Sequence, residues 1–174
     1  MALLQMILCF ETTKNAGTDY VYIKDTIEHF YDMDKRMPIN TVFMGGKNQY
    51  QTHNVKRKIN EFVKNYPGQS KVLFCIDTDR IDRNPTQVED FKKVTSYCAQ
   101  QGYELIWFCH DIEEVYLGSS IIKKDKVSKA KDFRMKKGIE TVSISKLNGL
   151  KPKACTSNIM CILDKYMPRK GVRH

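Results

Sequence analysis

The chain is expected to fold as a single α/β domain around a mostly parallel sheet of about four to five strands covered by helices. Three observations lead there. Short apolar runs of strand length alternate with stretches whose apolar residues recur at helical spacing. Turn-forming residues separate them, and acidic residues gather where the apolar runs stop. The length, 174 residues, falls in the usual range of one domain and allows most apolar surface to be buried.

The first strand spans 3–10, an unbroken apolar run that ends in the turn chemistry of Glu11-Thr12-Thr13-Lys14-Asn15-Ala16-Gly17. Thr18 is a residue type that caps helices, and from it to Tyr31 the spacing puts Tyr20, Ile23, Ile27 and Phe30 on one helical face. Asn40 to Met44 is a second short strand, stopped by Gly45-Gly46. A second helix over 54–66 turns Val55, Ile59, Phe62 and Val63 inward, and Pro67-Gly68 breaks it. The third strand, 71–76, runs straight into Asp77-Thr78-Asp79.

Pro85 to Gln101 reads as a third helix with Val88, Phe91, Val94 and Cys98 inward, closed by Gly102. Tyr103 to Cys109 is the fourth strand and meets His110-Asp111. A short helix over 112–117, a lysine-rich stretch over 123–137, a strand over 141–144 and a last helix near 157–166 complete the chain. The α/β core is thus expected over 1–118, with a basic, α-rich C-terminal extension, 119–174, packed on the same domain.

A hydrophobic fraction of 41% and a charged fraction of 28% are those of a globular chain. No apolar run approaches the roughly 18 to 20 residues needed to cross a bilayer. The start, Met1 to Phe10, carries no basic n-region and breaks at Glu11, so a cytoplasmic protein with no membrane partner is expected. The six cysteines include no CxxC pair and several lie in apolar runs, the pattern of reduced core thiols rather than a zinc site.

Charge is unevenly placed. Residues 1–118 carry a net −2, whereas 119–174 hold 15 Lys and Arg against 4 Asp and Glu, a net +11. A basic face beside carboxylates suits a polyanion such as RNA or DNA. The other reading is a solvated lysine surface that only aids solubility.

Sites in such sheets lie at the carboxyl ends of the strands. Glu11, Asp77, Asp79 and Asp111 all stand at such ends. One Asp after a strand is ordinarily a cap or turn residue. Their joint placement instead suits Mg2+ or Mn2+, which take hard oxygen ligands from few carboxylates and complete their shells with water and phosphate. His110 can serve there as an acid or base, or as a hydrogen-bonded structural group. No GxxxxGK[ST], HExxH or GxSxG motif occurs, Gly45-Gly46-Lys47 lacks the spacing of a phosphate cradle, and His29, His53, His110 and His174 are scattered. P-loop hydrolysis and metalloprotease chemistry are thereby set aside.

The glutamate after the first strand and the DxD after the third resemble the Toprim domain of DnaG-type primases, topoisomerases, OLD-family nucleases and RloB-like proteins. Gly17-Thr18-Asp19-Tyr20 is similar to the Gly-x-Asp stretch that opens the first Toprim helix. Glu113-Glu114-Val115-Tyr116-Leu117 resembles the Phe-Glu-x-Trp-Leu segment of the RloB-like branch, with Glu114 at the family glutamate. The resemblance implies a Rossmann-like fold, metal held by Glu11, Asp77 and Asp79, and catalysis by these and Glu114. Glu11 would be a ligand or a general base acting through water, and Glu114 would stand behind the ligands or on a second metal. It further implies a magnesium-dependent nuclease or phosphoryl-transfer enzyme on nucleic acid and, for the RloB-like branch, an RNA nuclease in bacterial defence against phage.

Lys123, Lys124, Lys126, Lys129 and Lys131 follow closely enough to clamp a phosphate backbone. Arg80 would hold a phosphate or pair with the DxD carboxylates. Thr12 stands where the family has glycine, and His110-Asp111 where it often has asparagine-proline. These departures leave a second reading open: an inactive domain binding nucleic acid or a partner protein, or forming a homo-oligomer. A phosphoacceptor receiver-like domain is a third, for which Glu11 alone supplies too little of the required acidic pair.

Overall fold

The computed structural model describes residues 3–14, 17–34 and 37–171; Asn15 and Ala16 of the first turn, and His174, lie outside them. The first half runs β1 (Leu4–Phe10), α1 (Thr18–Phe30), β2 (Ile39–Phe43), α2 (His53–Asn65) and β3 (Gln69–Asp77). Then come α3 (Pro85–Gln101), β4 (Glu104–Cys109), α4 (Ile112–Leu117), α5 (Lys126–Met135), α6 (Ile144–Leu147), β5 (Thr156–Ser157) and α7 (Ile159–Leu163). Single 3₁₀ turns cover Lys47–Gln49, Lys123–Asp125 and Gly138–Thr141.

The sheet has five strands in the order β2-β1-β3-β4-β5. Neighbours among the first four pair in parallel, and β5 is antiparallel to β4. This is a Rossmann-like α/β fold. The chain passes from β1 to β2 on one side and then to β3 on the other, so the winding reverses between β1 and β3. Such reversal points leave a crevice outside the strand ends.

Strand alternation sends Met6, Leu8 and Phe10 into one core with Tyr22, Ile23 and Ile27 of α1, Tyr116 of α4 and Phe133 of α5. Ile7 and Cys9 enter the opposite core with Val55 and Ile59 of α2 and Val94 and Tyr97 of α3. Burial on both faces explains why β1 and β3 are continuously apolar. Each such large side chain contributes about 1.5–3 kcal/mol. Asn84 caps α3, its carboxamide oxygen accepting from Thr86 N at 3.0 Å, and Gly102 ends it in the left-handed region at φ 68°.

The C-terminal segment belongs to the first core. Ala130, Phe133, Ile139, Leu147, Ile159, Met160 and Leu163 are all buried there. The Tyr31 hydroxyl donates to Asp164 at 2.8 Å, and Arg169 Nε donates to the same carboxylate at 2.8 Å. All six cysteines are free thiols. Among the described residues no helix is long and apolar enough to cross a membrane.

Four local expectations are corrected. Residues 141–144 form no strand: the Thr141 hydroxyl donates to Gly138 O at 2.8 Å and the Ser143 and Ser145 hydroxyls pair at 2.7 Å, local bonds that compete with extended backbone. The fifth strand is instead Thr156–Ser157, and with Ser157 committed to the sheet the last helix shortens to Ile159–Leu163. Val63 is 40% exposed, because the buried stripe of α2 runs through Val55 and Ile59. Thr18 lies inside α1, with Gly17 at the cap position.

Candidate functional site

Phe10 pairs with Cys75 across the β1–β3 ladder, so the residues beyond them meet at the reversal point. There Asp77 N donates to Glu11 Oε1 at 3.0 Å. Asp77 Oδ1 in turn accepts from the Ile112 amide at the start of α4, also at 3.0 Å. Each carboxylate is oriented through one oxygen; the second oxygen of each makes no hydrogen bond among the described residues. Asp19, in the first turn of α1, and Glu113, wholly buried on α4, complete the group.

Crowding of like charge shows in the proton affinities. Desolvation, then the fields of Glu11, Asp19, Glu113 and Asp111, holds the Asp77 carboxyl well above its usual range. Desolvation pushes Glu11 up to about 8 against the pull of Lys47, with Asp79 and Asp19 adding to the rise. Asp19 is raised to about 6 by desolvation and by Glu113, with Lys126 opposing.

Two ammonium groups reach this acidic group. Lys126 Nζ, from the first residue of α5, lies 2.8 Å from Glu113 Oε2. The other oxygen, Glu113 Oε1, is buried and has no hydrogen-bond partner among the described residues. Lys47, in the 3₁₀ turn after β2, lies 2.8 Å from Asp79 Oδ2 and 3.1 Å from Gln87 Oε1. Asp79 itself sits at φ 52°, in the left-handed region, with its amide donating to His110 O at 2.8 Å. Beneath the cluster Tyr22 stacks on Tyr116 at 5.1 Å and packs on Phe133 at 5.1 Å, an apolar floor that strengthens the fields above it.

Glu114 does not join the cluster. Its carboxylate lies 3.2 Å from His110 Nδ1, 3.3 Å from Ser120 Oγ and 3.6 Å from Cys155 Sγ. Successive helical residues point about 100° apart, and Glu113 is the one that α4 turns toward Asp77. His110 Nε2 lies 3.0 Å from Asp82 Oδ1, which places the ring in a structural network. Arg80 approaches His110 Nδ1 at 3.1 Å rather than the DxD carboxylates. Asp111 caps α4 by accepting from Glu114 N at 2.8 Å. Lys123, Lys124 and Lys129 are exposed and unpaired among the described residues, whereas Lys126 is spent on Glu113.

Three contributors escaped the sequence. Asp19 was visible only within the Gly-x-Asp resemblance. Glu113 was hidden by its neighbour, since an adjacent Glu-Glu pair gives no clue to which one faces inward. Lys47 carries no local signal at all, because its partner is 32 positions away.

Among the described residues no three acidic, histidine or cysteine side chains already stand close enough to ligate one ion. The donor set nevertheless fits a hard divalent cation: Glu11, Asp19, Asp77 and Glu113 offer oxygens only, and Glu113 Oε1 is an orphan. Lys47 and Lys126 are too few to balance these carboxylates together with Asp79.

Fold and site define a Rossmann-like α/β domain with an acidic cluster at the β1–β3 crevice. No protein-family model and no curated protein matches the sequence. Among solved structures the chain is similar to a de novo designed Rossmann fold protein at 13% identity and a TM-score of 0.31, over 74% of this chain and 95% of that one.

Proposed function

We propose that the chain is a Toprim-like, cytoplasmic hydrolase that cleaves phosphodiester bonds in nucleic acid, RNA foremost, with a divalent cation. The observation that carries this is the crowding of Glu11, Asp19, Asp77 and Glu113 across the β1–β3 crevice, where burial first and neighbouring carboxylates second raise the proton affinities of Glu11, Asp19 and Asp77. Such perturbation in a strand-end crevice favours a functional site over a structural one.

Glu11, Asp19, Asp77 and Glu113 would hold Mg2+ or Mn2+. Bound there, the cation would acidify a water and neutralise charge on a phosphoryl oxygen. The chain's own groups do the rest. The Ile112 amide orients Asp77, and the Asp77 amide orients Glu11. Glu11, held by that amide, would either complete the ligand set or accept a proton through a water. Lys47 and Lys126, paired with Asp79 and Glu113, would turn to phosphate oxygens only once the cation takes over the charge of those carboxylates.

The test is cleavage of labelled RNA and DNA with Mg2+, Mn2+ or EDTA. Asp77→Asn and Glu113→Gln are expected to lose activity on the order of a hundredfold or more, while Glu114→Gln keeps most of it. Equal activity in EDTA would refute the metal requirement.

One observation favours a second reading, an inactive binding module. Lys47 and Lys126 already neutralise two of the carboxylates in the metal-free chain. Salt-sensitive binding with no cleavage under any metal would select it.

A further inference from the structure

We propose that the groove between the start of α1 and the exposed side of α5 seats an unpaired nucleic-acid strand beside the carboxylate cluster. This rests on the nucleic-acid reading above and names the path and form of the ligand.

The groove, about 310 Å³, is lined by Lys14, Val21, Val127, Ala130, Lys131 and Arg134. Its rim is cationic. Lys14 and Lys131 are exposed and pair with no acidic group among the described residues. Arg134 is partly neutralised by Asp25 at 3.7 Å and Glu28 at 3.4 Å. Val21, Ala130 and Val127 form an apolar wall beside Gly17 and Thr18, with Val127 59% exposed on a helix otherwise rich in lysine.

The position ties the groove to the site. Thr18 lines it, and the next residue is Asp19. Val127 lines it, and the residue before is Lys126, whose ammonium lies on Glu113. A strand in the groove therefore runs alongside α1, which carries Asp19, and α5, whose Lys126 lies on Glu113.

Cations beside an apolar surface match a single strand better than a duplex. Lysines take phosphates in either case. An apolar wall gains only from a base or sugar face, and base faces are free only where the strand is unpaired. Of the five lysines first singled out, Lys131 lines the groove, whereas Lys123, Lys124, Lys126 and Lys129 do not.

The experiment is fluorescence anisotropy of labelled oligouridine across a salt series, in EDTA, with the full chain. Lys14→Glu/Lys131→Glu is compared with Lys92→Glu/Lys93→Glu, an equal charge change on α3, which packs on the other face of the sheet. The groove pair is expected to weaken binding about tenfold or more at low salt and to flatten the slope of log K against log salt by about 1.4, two phosphate contacts at about 0.7 each for a single strand. The α3 pair should change affinity less than about twofold, and Val127→Asp should weaken oligouridine binding but leave duplex binding unchanged.

Should the double reversal fail to fold, Lys131→Gln alone is expected to give half the change in slope. Equal losses from both pairs, or duplex binding as tight and as sensitive to Val127→Asp, would overturn the proposal. Cleavage in Mg2+ run in parallel separates the two claims: failure to cleave with a groove-dependent affinity refutes only the nuclease, and cleavage with a groove-independent affinity refutes only the groove.

Discussion

Lys126 and Glu113 form an ion pair of 2.8 Å in which the carboxylate is wholly buried and its second oxygen has no partner among the described residues. Burial works against the charge on Lys126, but the hydrogen bond and field of Glu113, with Asp77 and Asp111 behind it, raise its proton affinity. The ammonium thus acts as an internal counter-ion reaching in from the basic C-terminal segment.

Removing it should expose a deficit that a metal can fill. Lys126→Ala is expected to cost about 1–3 kcal/mol in EDTA, below the figure for a fully buried pair because the lysine is 32% exposed. Saturating Mg2+ should then raise the melting temperature of the variant more than that of the wild type. An equal rise in both would separate Lys126 from the cation site.

Stability of the metal-free protein should fall as pH rises from about 5 to about 8. Glu11 titrates near 4.5 when unfolded and near 8 when folded, and Asp19 moves from 3.8 to about 6. Between those values the folded state holds more protons, so deprotonation favours the unfolded chain. Urea unfolding in EDTA should show a loss of up to about 5 kcal/mol over this range. Glu11→Gln, or added Mg2+, should flatten the dependence; an unfolding free energy that climbs with pH would contradict the crowding.

The backbone at Asp79 separates two substitutions that remove the same charge. At φ 52° an asparagine is tolerated, whereas a β-branched side chain clashes with its own backbone. Asp79→Val should be less stable than Asp79→Asn by about 1–2 kcal/mol in EDTA, measured by urea titration. Since both lose the Lys47 pair, equal stabilities would mean that the left-handed turn is absent.

β3 delivers Asp77 only if its start can pass close to the first strand. A Cβ at Gly68 would fall 2.2 Å from Leu3 O, a backbone atom with little room to yield. Gly68→Ala is accordingly expected to cost about 1–3 kcal/mol by thermal melting. A neutral substitution would argue against this register.

Much of this architecture was legible because strands buried on both faces write themselves as unbroken apolar runs, and Phe10 and Ile76 each hand over directly to an acidic turn. Strand-end logic placed Glu11, Asp77, Asp79 and Asp111 at the carboxyl edge of the sheet, but the bond from the Asp77 amide to Glu11 came only with the structure. The C-terminal segment was less legible. Thr141, Val142 and Ile144 have strand composition, but serine and threonine hydroxyls satisfy the backbone locally, while the two-residue β5 is too short for any periodicity to reveal. Glu114 illustrates a different limit: resemblance selects a column, and only packing selects which of two adjacent glutamates faces Asp77.

The measurement that bears most directly on the cation site is direct titration of Mn2+ into the protein, read by electron paramagnetic resonance. Wild type is expected to bind Mn2+ saturably, with binding lost in Asp77→Asn/Glu113→Gln and kept in Glu114→Gln. Absence of binding to the wild type at millimolar Mn2+, or equal binding by Asp77→Asn/Glu113→Gln, would contradict the site and leave its carboxylates served by Lys47 and Lys126 alone.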